Sequence, residues 1–173
     1  MQKIIVTGAN GAGKSHLAAK LAEVRPEVPI ISFDTIKLRT GWQHRSKPEI
    51  IASLDEKLGG KSWILEGGPS LLSHTIARAD ALIWLDPPEF IRAWRLAIRP
   101  WKFIGRTRPE LPSGNVDWPV QQYKFAVRSL WNKSKFQSYI AEVYQSTSHL
   151  EKWRCRDKKS IDAIVRRWQE SAA

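Results

Sequence analysis

Residues Gly8 to Ser15 read Gly-Ala-Asn-Gly-Ala-Gly-Lys-Ser, between the apolar run Ile4-Ile5-Val6 and a helix-forming stretch. The octapeptide is a complete G-x-x-x-x-G-K-[ST] phosphate loop, and it stands in the strand-to-helix context that the motif requires. Its glycines let successive N–H groups turn inward, and the helix N-terminus behind them adds partial positive charge where phosphates would lie. On this reading Gly8, Asn10, Gly11, Ala12, Gly13, Lys14, Ser15 and His16 form a nucleotide cradle. Lys14 is expected to reach the β- and γ-phosphates, and Ser15 to ligate Mg²⁺. A chain with this turn near its start needs a strand with helices packed on it, which narrows the fold to α/β.

The rest of the chain alternates accordingly. The helix after the loop runs from about Lys14 to Glu23, with Leu17, Ala18 and Leu21 in one stripe, and Pro26 ends it. Val28 to Phe33 reads as a second strand that delivers Asp34 just past its end. Lys37 to Lys47 reads as a loop or short irregular helix, and Pro48 opens a helix to about Leu58, closed by Gly59-Gly60. Ser62 to Leu65 forms a third strand ending at Glu66; a weak helix around Leu71 to Ala79 leads to a fourth, Ala81 to Leu85, ending at Asp86. A helix from Pro88 to about Ile98 is expected to break at Pro100. Trp101 to Pro119 has no sustained periodicity, and a loop of that length inside a compact domain is usually functional or disordered. Helical spacing returns from Val120 to about Gln145, followed by a strand over Leu150 to Arg156 and a closing helix from Ser160, its N-cap, to about Glu170. The expected architecture is α/β, a P-loop NTPase with a mostly parallel five-stranded sheet flanked by helices. One domain spans residues 1–173, with an arginine-rich lid at about 99–119.

Composition bears on partners. No apolar run approaches the roughly 18 residues of a membrane span, and Met1-Gln2-Lys3 leads directly into the first strand, so neither a membrane partner nor a signal peptide is expected. The single cysteine, Cys155, forms no internal disulfide and reads as a core residue, which fits a cytoplasmic protein. The histidines His16, His44, His74 and His149 show no ligand spacing. The nine tryptophans lie mostly among apolar neighbours and read first as core. The net charge of +11 suggests a polyanion, with nucleotides, nucleic acid and anionic lipid all admissible, against solubility charge as the plain alternative.

Asp34 is the candidate on the acceptor side, because phosphoryl transfer needs a carboxylate to orient and deprotonate an incoming hydroxyl; a helix cap is the competing role. Lys37 and Arg39 follow within about a turn and are placed either to hold an acceptor's anion or as solvated charge. Glu66 and Asp86 each end an apolar strand, as a Mg²⁺-supporting carboxylate does, and Glu66 is the first choice. Cations concentrate from Arg92 to Lys135, and Arg92, Arg95 and Arg99 share one helical face. Arg95, Arg99, Arg106 and Arg108 are thereby candidates, with Lys14, for neutralising charge on a transferred phosphoryl group. A surface for a nucleic acid backbone is a compatible reading of the same cations.

With these residues in place, the chain resembles adenylate-kinase-like P-loop proteins of the topology modulation protein family. The resemblance is carried by Gly8 to Ser15, the Asp34…Gly41-Trp42 segment, Trp63 to Gly67, Leu85-Asp86-x-Pro88, the Arg95…Arg99 pair and Gly105 to Glu110. It implies a core sheet with a lid over ATP and a nucleotide-kinase-like activity. The front half is also similar to polynucleotide 5′-hydroxyl kinases, in a pattern carried here by Lys14, Ser15, Asp34 and Arg39. Glu66 stands where the topology family often has Asp, and Ser113 to Asp117 lacks the cysteine and proline often found there.

The leading expectation is an ATP- and Mg²⁺-dependent kinase acting on a hydroxyl of a nucleoside, a nucleotide or a nucleic acid, a polynucleotide end or a hydroxymethylated base in DNA included. The alternative is a DNA- or RNA-binding protein with a regulatory NTP site. A third reading is a small-metabolite kinase, for which the +11 charge is incidental.

Overall fold

Ile4, Ile5 and Val6 are all fully buried because the strand that carries them is covered on both faces. Ile4 and Val6 pack with Leu17, Leu21, Ile164 and Trp168, whereas Ile5 packs with Trp63, Leu65, Leu82 and Ile140. A strand covered twice has no solvent face to make polar, hence the unbroken apolar run. The computed structural model describes residues 1–102, 104, 105, 107, 111–116 and 118–171, with residue 133 described by its backbone alone.

In chain order the elements are β1 (Lys3–Gly8), α1 (Lys14–Val24), β2 (Ile30–Ser32), α2 (Phe33–Lys37), α3 (Lys47–Lys57), β3 (Trp63–Gly67), α4 (Leu72–Thr75), β4 (Ala81–Leu85), α5 (Glu89–Lys102), α6 (Pro119–Trp131), α7 (Lys133–Ser146), β5 (Glu151–Cys155) and α8 (Lys158–Glu170). The five strands pair in parallel in the order β2-β3-β1-β4-β5. β1 therefore lies at the centre, and the loop after it opens at the carboxyl edge of the sheet, where open α/β folds bind ligands.

Three sequence expectations need correction. Pro100 does not end α5; it is buried inside the helix, where burial of its ring offsets the missing amide donor. The stretch after Val120 is two helices, because the chain turns at Asn132 between α6 and α7. Asp157, not Ser160, caps α8: its carboxylate accepts from the Ser160 backbone N–H at 2.8 Å, and Ser160 is the third helical residue. The tryptophans also divide. Trp63, Trp84 and Trp168 are core, but Trp94, Trp101, Trp118 and Trp131 are exposed.

Trp168 closes the sheet face under α1 and α8. Its indole N–H donates to the Leu21 carbonyl at 3.0 Å, and the buried Arg25 guanidinium lies 4.0 Å from the ring centroid. Trp168→Ala therefore removes a large core side chain and uncovers a buried cation. It should lower unfolding free energy by about 3–5 kcal/mol, read by urea denaturation.

Candidate functional site

The loop after β1 follows a path that favours glycine. Gly11 and Gly13 lie at φ 80° and 101°, and a Cβ on Gly8 would stand 2.5 Å from the Leu85 carbonyl oxygen of β4. α5 holds the loop from outside. Arg92, only 2% exposed, donates from Nε to the Asn10 carbonyl at 3.1 Å and from Nη1 to Glu89 at 2.9 Å. Arg95 Nη1 donates to the Ala12 carbonyl at 2.9 Å. The remaining Arg92 nitrogen, Nη2, is buried without a hydrogen-bond partner.

The sheet register brings the second component. β1 pairs with β3 so that Val6 faces Glu66 and Thr7 faces Gly67, and the Thr7 hydroxyl donates to the Gly67 carbonyl at 3.3 Å. Glu66 is buried at the strand end, and Ser15 Oγ donates to its Oε2 at 3.3 Å. Lys14 Nζ donates to the Ala9 carbonyl at 3.3 Å. Burial pushes the Lys14 ammonium below its ordinary value; the Glu66 and Asp34 carboxylates oppose that shift, while Arg99 and Arg92 add to it.

Asp34 occupies the first turn of α2, immediately after β2, and Lys37 ends the same short helix. Both carboxylates that act on Lys14 thus come from strand ends on one flank of β1, Glu66 from β3 and Asp34 from beyond β2. Arg39 is directed elsewhere: its guanidinium pairs with Glu49, which also closes the capping box of α3. Sheet order alone does not choose between Glu66 and Asp86, since β3 and β4 both flank β1. Hydrogen bonding separates them. Asp86 accepts from Gln137 at 2.8 Å and from Arg154 at 2.6 Å, with Arg156 at 3.4 Å, so its oxygens are committed to the β5 side. Arg99 donates to Gln122 of α6 at 3.4 Å. Arg106 and Arg108 lie outside the described residues. His16 is exposed, and burial raises the Cys155 thiol to about 11, which keeps it a protonated core residue.

Two residues not singled out from sequence organise the site. Arg92 belongs to the helical arginine face, yet its burial against the loop is a tertiary fact. Asn115 is fully buried in the connection between α5 and α6, where its Oδ1 accepts from the Trp42 backbone N–H at 2.6 Å and its Nδ2 donates to the Arg39 carbonyl at 3.0 Å. The Trp42 indole reaches the Val116 carbonyl at 3.4 Å. Asn115 and Val116 are thereby fastened to the segment that follows Asp34. A lone asparagine after Ser113-Gly114 reads locally as a turn, and nothing in its neighbours announces the clasp.

No protein-family model matches the chain, and no curated protein matches it in sequence. Solved structures do resemble it. Shikimate kinase from Bacteroides thetaiotaomicron superposes with a TM-score of 0.54 at 19% identity, covering 99% of this chain and 98% of that one. Shikimate kinase from Acinetobacter baumannii, solved in complex with shikimate, gives 0.53 at 12% identity, over 99% and 93%. The chain shares the fold of these structures, a five-stranded parallel sheet flanked by helices. Identities this low establish the architecture of a parallel sheet flanked by helices, as the sequence predicts, and nothing narrower.

Asn115→Ala removes both hydrogen bonds of the clasp. It should cost about 1–3 kcal/mol locally, and the Trp42 amide should exchange with deuterium faster while amides of β1 keep their protection.

Proposed function

We propose that the protein is an ATP- and Mg²⁺-dependent kinase that transfers the γ-phosphoryl group to a hydroxyl of a small acceptor. The observation that carries this reading is the convergence of Lys14 with Glu66 and Asp34, with Ser15 bonded to Glu66, beside a glycine loop at the carboxyl edge of the sheet. The loop N–H groups and Lys14 would bind the β- and γ-phosphates. Arg99, with Arg106 and Arg108, would neutralise the transferred group, whereas Arg95 would act through its bonds to the Gly11 and Ala12 carbonyls of the loop. Ser15 Oγ and Glu66 Oε2 suit a hydrated Mg²⁺, which keeps most of its waters and needs few protein oxygens. When bound, that ion neutralises charge on the β- and γ-oxygens. Asp34 would orient the acceptor hydroxyl and take its proton as the new oxygen–phosphorus bond forms and the bond to the β-phosphate oxygen breaks, releasing ADP.

The acceptor is read as small because the Asn115 clasp covers the segment after Asp34. A strand of nucleic acid passing Lys37 and Arg39 would have to open it. A hydroxyl on a nucleoside or nucleotide remains within the proposal, supported by the motif resemblance and by Lys37 beside Asp34. The arrangement with Arg39 that a polynucleotide end would use is engaged with Glu49.

Asp34→Asn should lower phosphoryl transfer by about 10²–10⁴-fold with ATP affinity retained; unchanged transfer would remove Asp34 from its role. Lys14 gives a pH dependence of known sign. Its protonated form binds phosphate, and burial lowers its proton affinity in the free protein. ATP affinity should therefore be highest below the depressed Lys14 pKa and fall as pH rises through it. Calorimetry across the alkaline range should show this fall, and Lys14→Met should abolish it.

A further inference from the structure

α6 is packed inside out. Its buried positions are Gln122, bonded to Arg99 of α5, Ala126 and Ser129, while Val120, Tyr123, Val127 and Trp131 form an exposed stripe at helical spacing, Trp131 at 85% exposure. α5 does the same on its outer side with Phe90, Trp94, Ile98 and Trp101. The two stripes meet where the Trp101 indole N–H donates to the Tyr123 hydroxyl at 2.6 Å and that hydroxyl donates to the Ala97 carbonyl at 3.1 Å. Those polar atoms are satisfied within the pair of helices, so the surface they turn outward is apolar. A concavity of about 760 Å³ along α6 is lined by this stripe together with Lys124 and Arg128. An exposed apolar face of this extent marks an interaction surface.

Charge complementarity selects the partner. Exposed Lys102, Lys124 and Arg128 flank the two stripes. Between Phe90 and Trp131 the sequence has only two acids, Glu110 and Asp117, both in the connecting lid segment outside the described residues. A second copy of the chain would bring like charge against like, and the whole chain carries +11. A single-stranded nucleic acid would find cations, but the α6 stripe alternates Val120 and Val127 with Tyr123 and Trp131, and aliphatic side chains offer no ring for a base to stack on. The face also follows β4, on the opposite flank of β1 from Asp34, so it does not lead a strand to the acceptor side. Tryptophan, phenylalanine and branched aliphatic residues bordered by lysine and arginine are the composition of a helix face that lies in the boundary of an anionic bilayer.

We propose that the α5–α6 face is a peripheral docking surface for anionic lipid bilayers, which leaves the nucleotide loop facing the opposite side of α5. Among the described residues no helix is long and apolar enough to cross a membrane; the expectation of no membrane partner, drawn from the lack of a spanning run, does not extend to surface docking, which needs none.

The test is flotation of the full chain with vesicles of phosphatidylcholine alone or phosphatidylcholine mixed with phosphatidylglycerol. The protein should float with the phosphatidylglycerol vesicles and little with phosphatidylcholine, and added salt should release it. Trp94→Ala with Trp131→Ala should weaken partitioning about tenfold or more, and Lys124→Glu with Arg128→Glu should abolish the preference for anionic lipid. Both double variants should keep the wild-type circular dichroism and ATP affinity. The proposal is overturned if the wild type does not float with phosphatidylglycerol, or if both double variants float as it does. It is equally overturned if these residues instead govern binding to single-stranded oligothymidylate or self-association in sedimentation, without governing flotation.

Discussion

The parallel register between β1 and β3 is the constraint from which the site follows. Pairing Val6 with Glu66 and Thr7 with Gly67 sets the carboxylate of one strand beside the loop that ends the other. A slip of β3 by one residue would turn Glu66 to the other face of the sheet and send Ile64 out of its cluster with Ile4 and Val6. Core packing and site geometry are thus fixed by the same pairing. The cost of burying Glu66 is met by its position opposite Ser15 and Lys14, which places negative charge where a cation and a phosphate chain would be assembled.

The second layer of organisation is the grip of α5 on the loop. Arg92 and Arg95 bind carbonyls rather than the open side of the loop, and a carbonyl bonded from outside leaves its peptide N–H groups turned inward. In the proposed kinase this would be preorganisation, with the loop dipoles aimed before a nucleotide binds. On the far side, Asn115, in the connection between α5 and α6, is hydrogen-bonded to Trp42 and Arg39 of the segment after Asp34.

Much of this was legible in the sequence. The glycine spacing of residues 8–13, the apolar runs at β1, β3 and β4, and the carboxylates at Glu66 and Asp34 are local signals, and each falls where the periodicity puts it. What was not legible depends on distant partners. Asp86 and Glu66 look alike at their strand ends, and only Arg154 and Gln137, far along the chain, distinguish them. Arg39 follows Asp34 closely but is captured by Glu49. Pro100 was read as a breaker because propensity is local, whereas its ring is buried in a helix held by neighbours. The tryptophans misled for the same reason: an indole among apolar neighbours has the same local sequence in a core and on an outward-facing stripe.

The assignment of a donor loop and an acceptor carboxylate to one reaction is tested most directly by transfer of label from γ-labelled ATP, with Mg²⁺, to a panel of hydroxyl acceptors: small hydroxy acids and sugars, nucleosides, mononucleotides, oligonucleotides and base-hydroxymethylated DNA. The structure predicts a labelled product of low molecular mass that disappears with Lys14→Met. ATP bound or hydrolysed with no acceptor in the panel labelled would contradict a kinase, and label found on oligonucleotides or DNA alone would contradict a small acceptor.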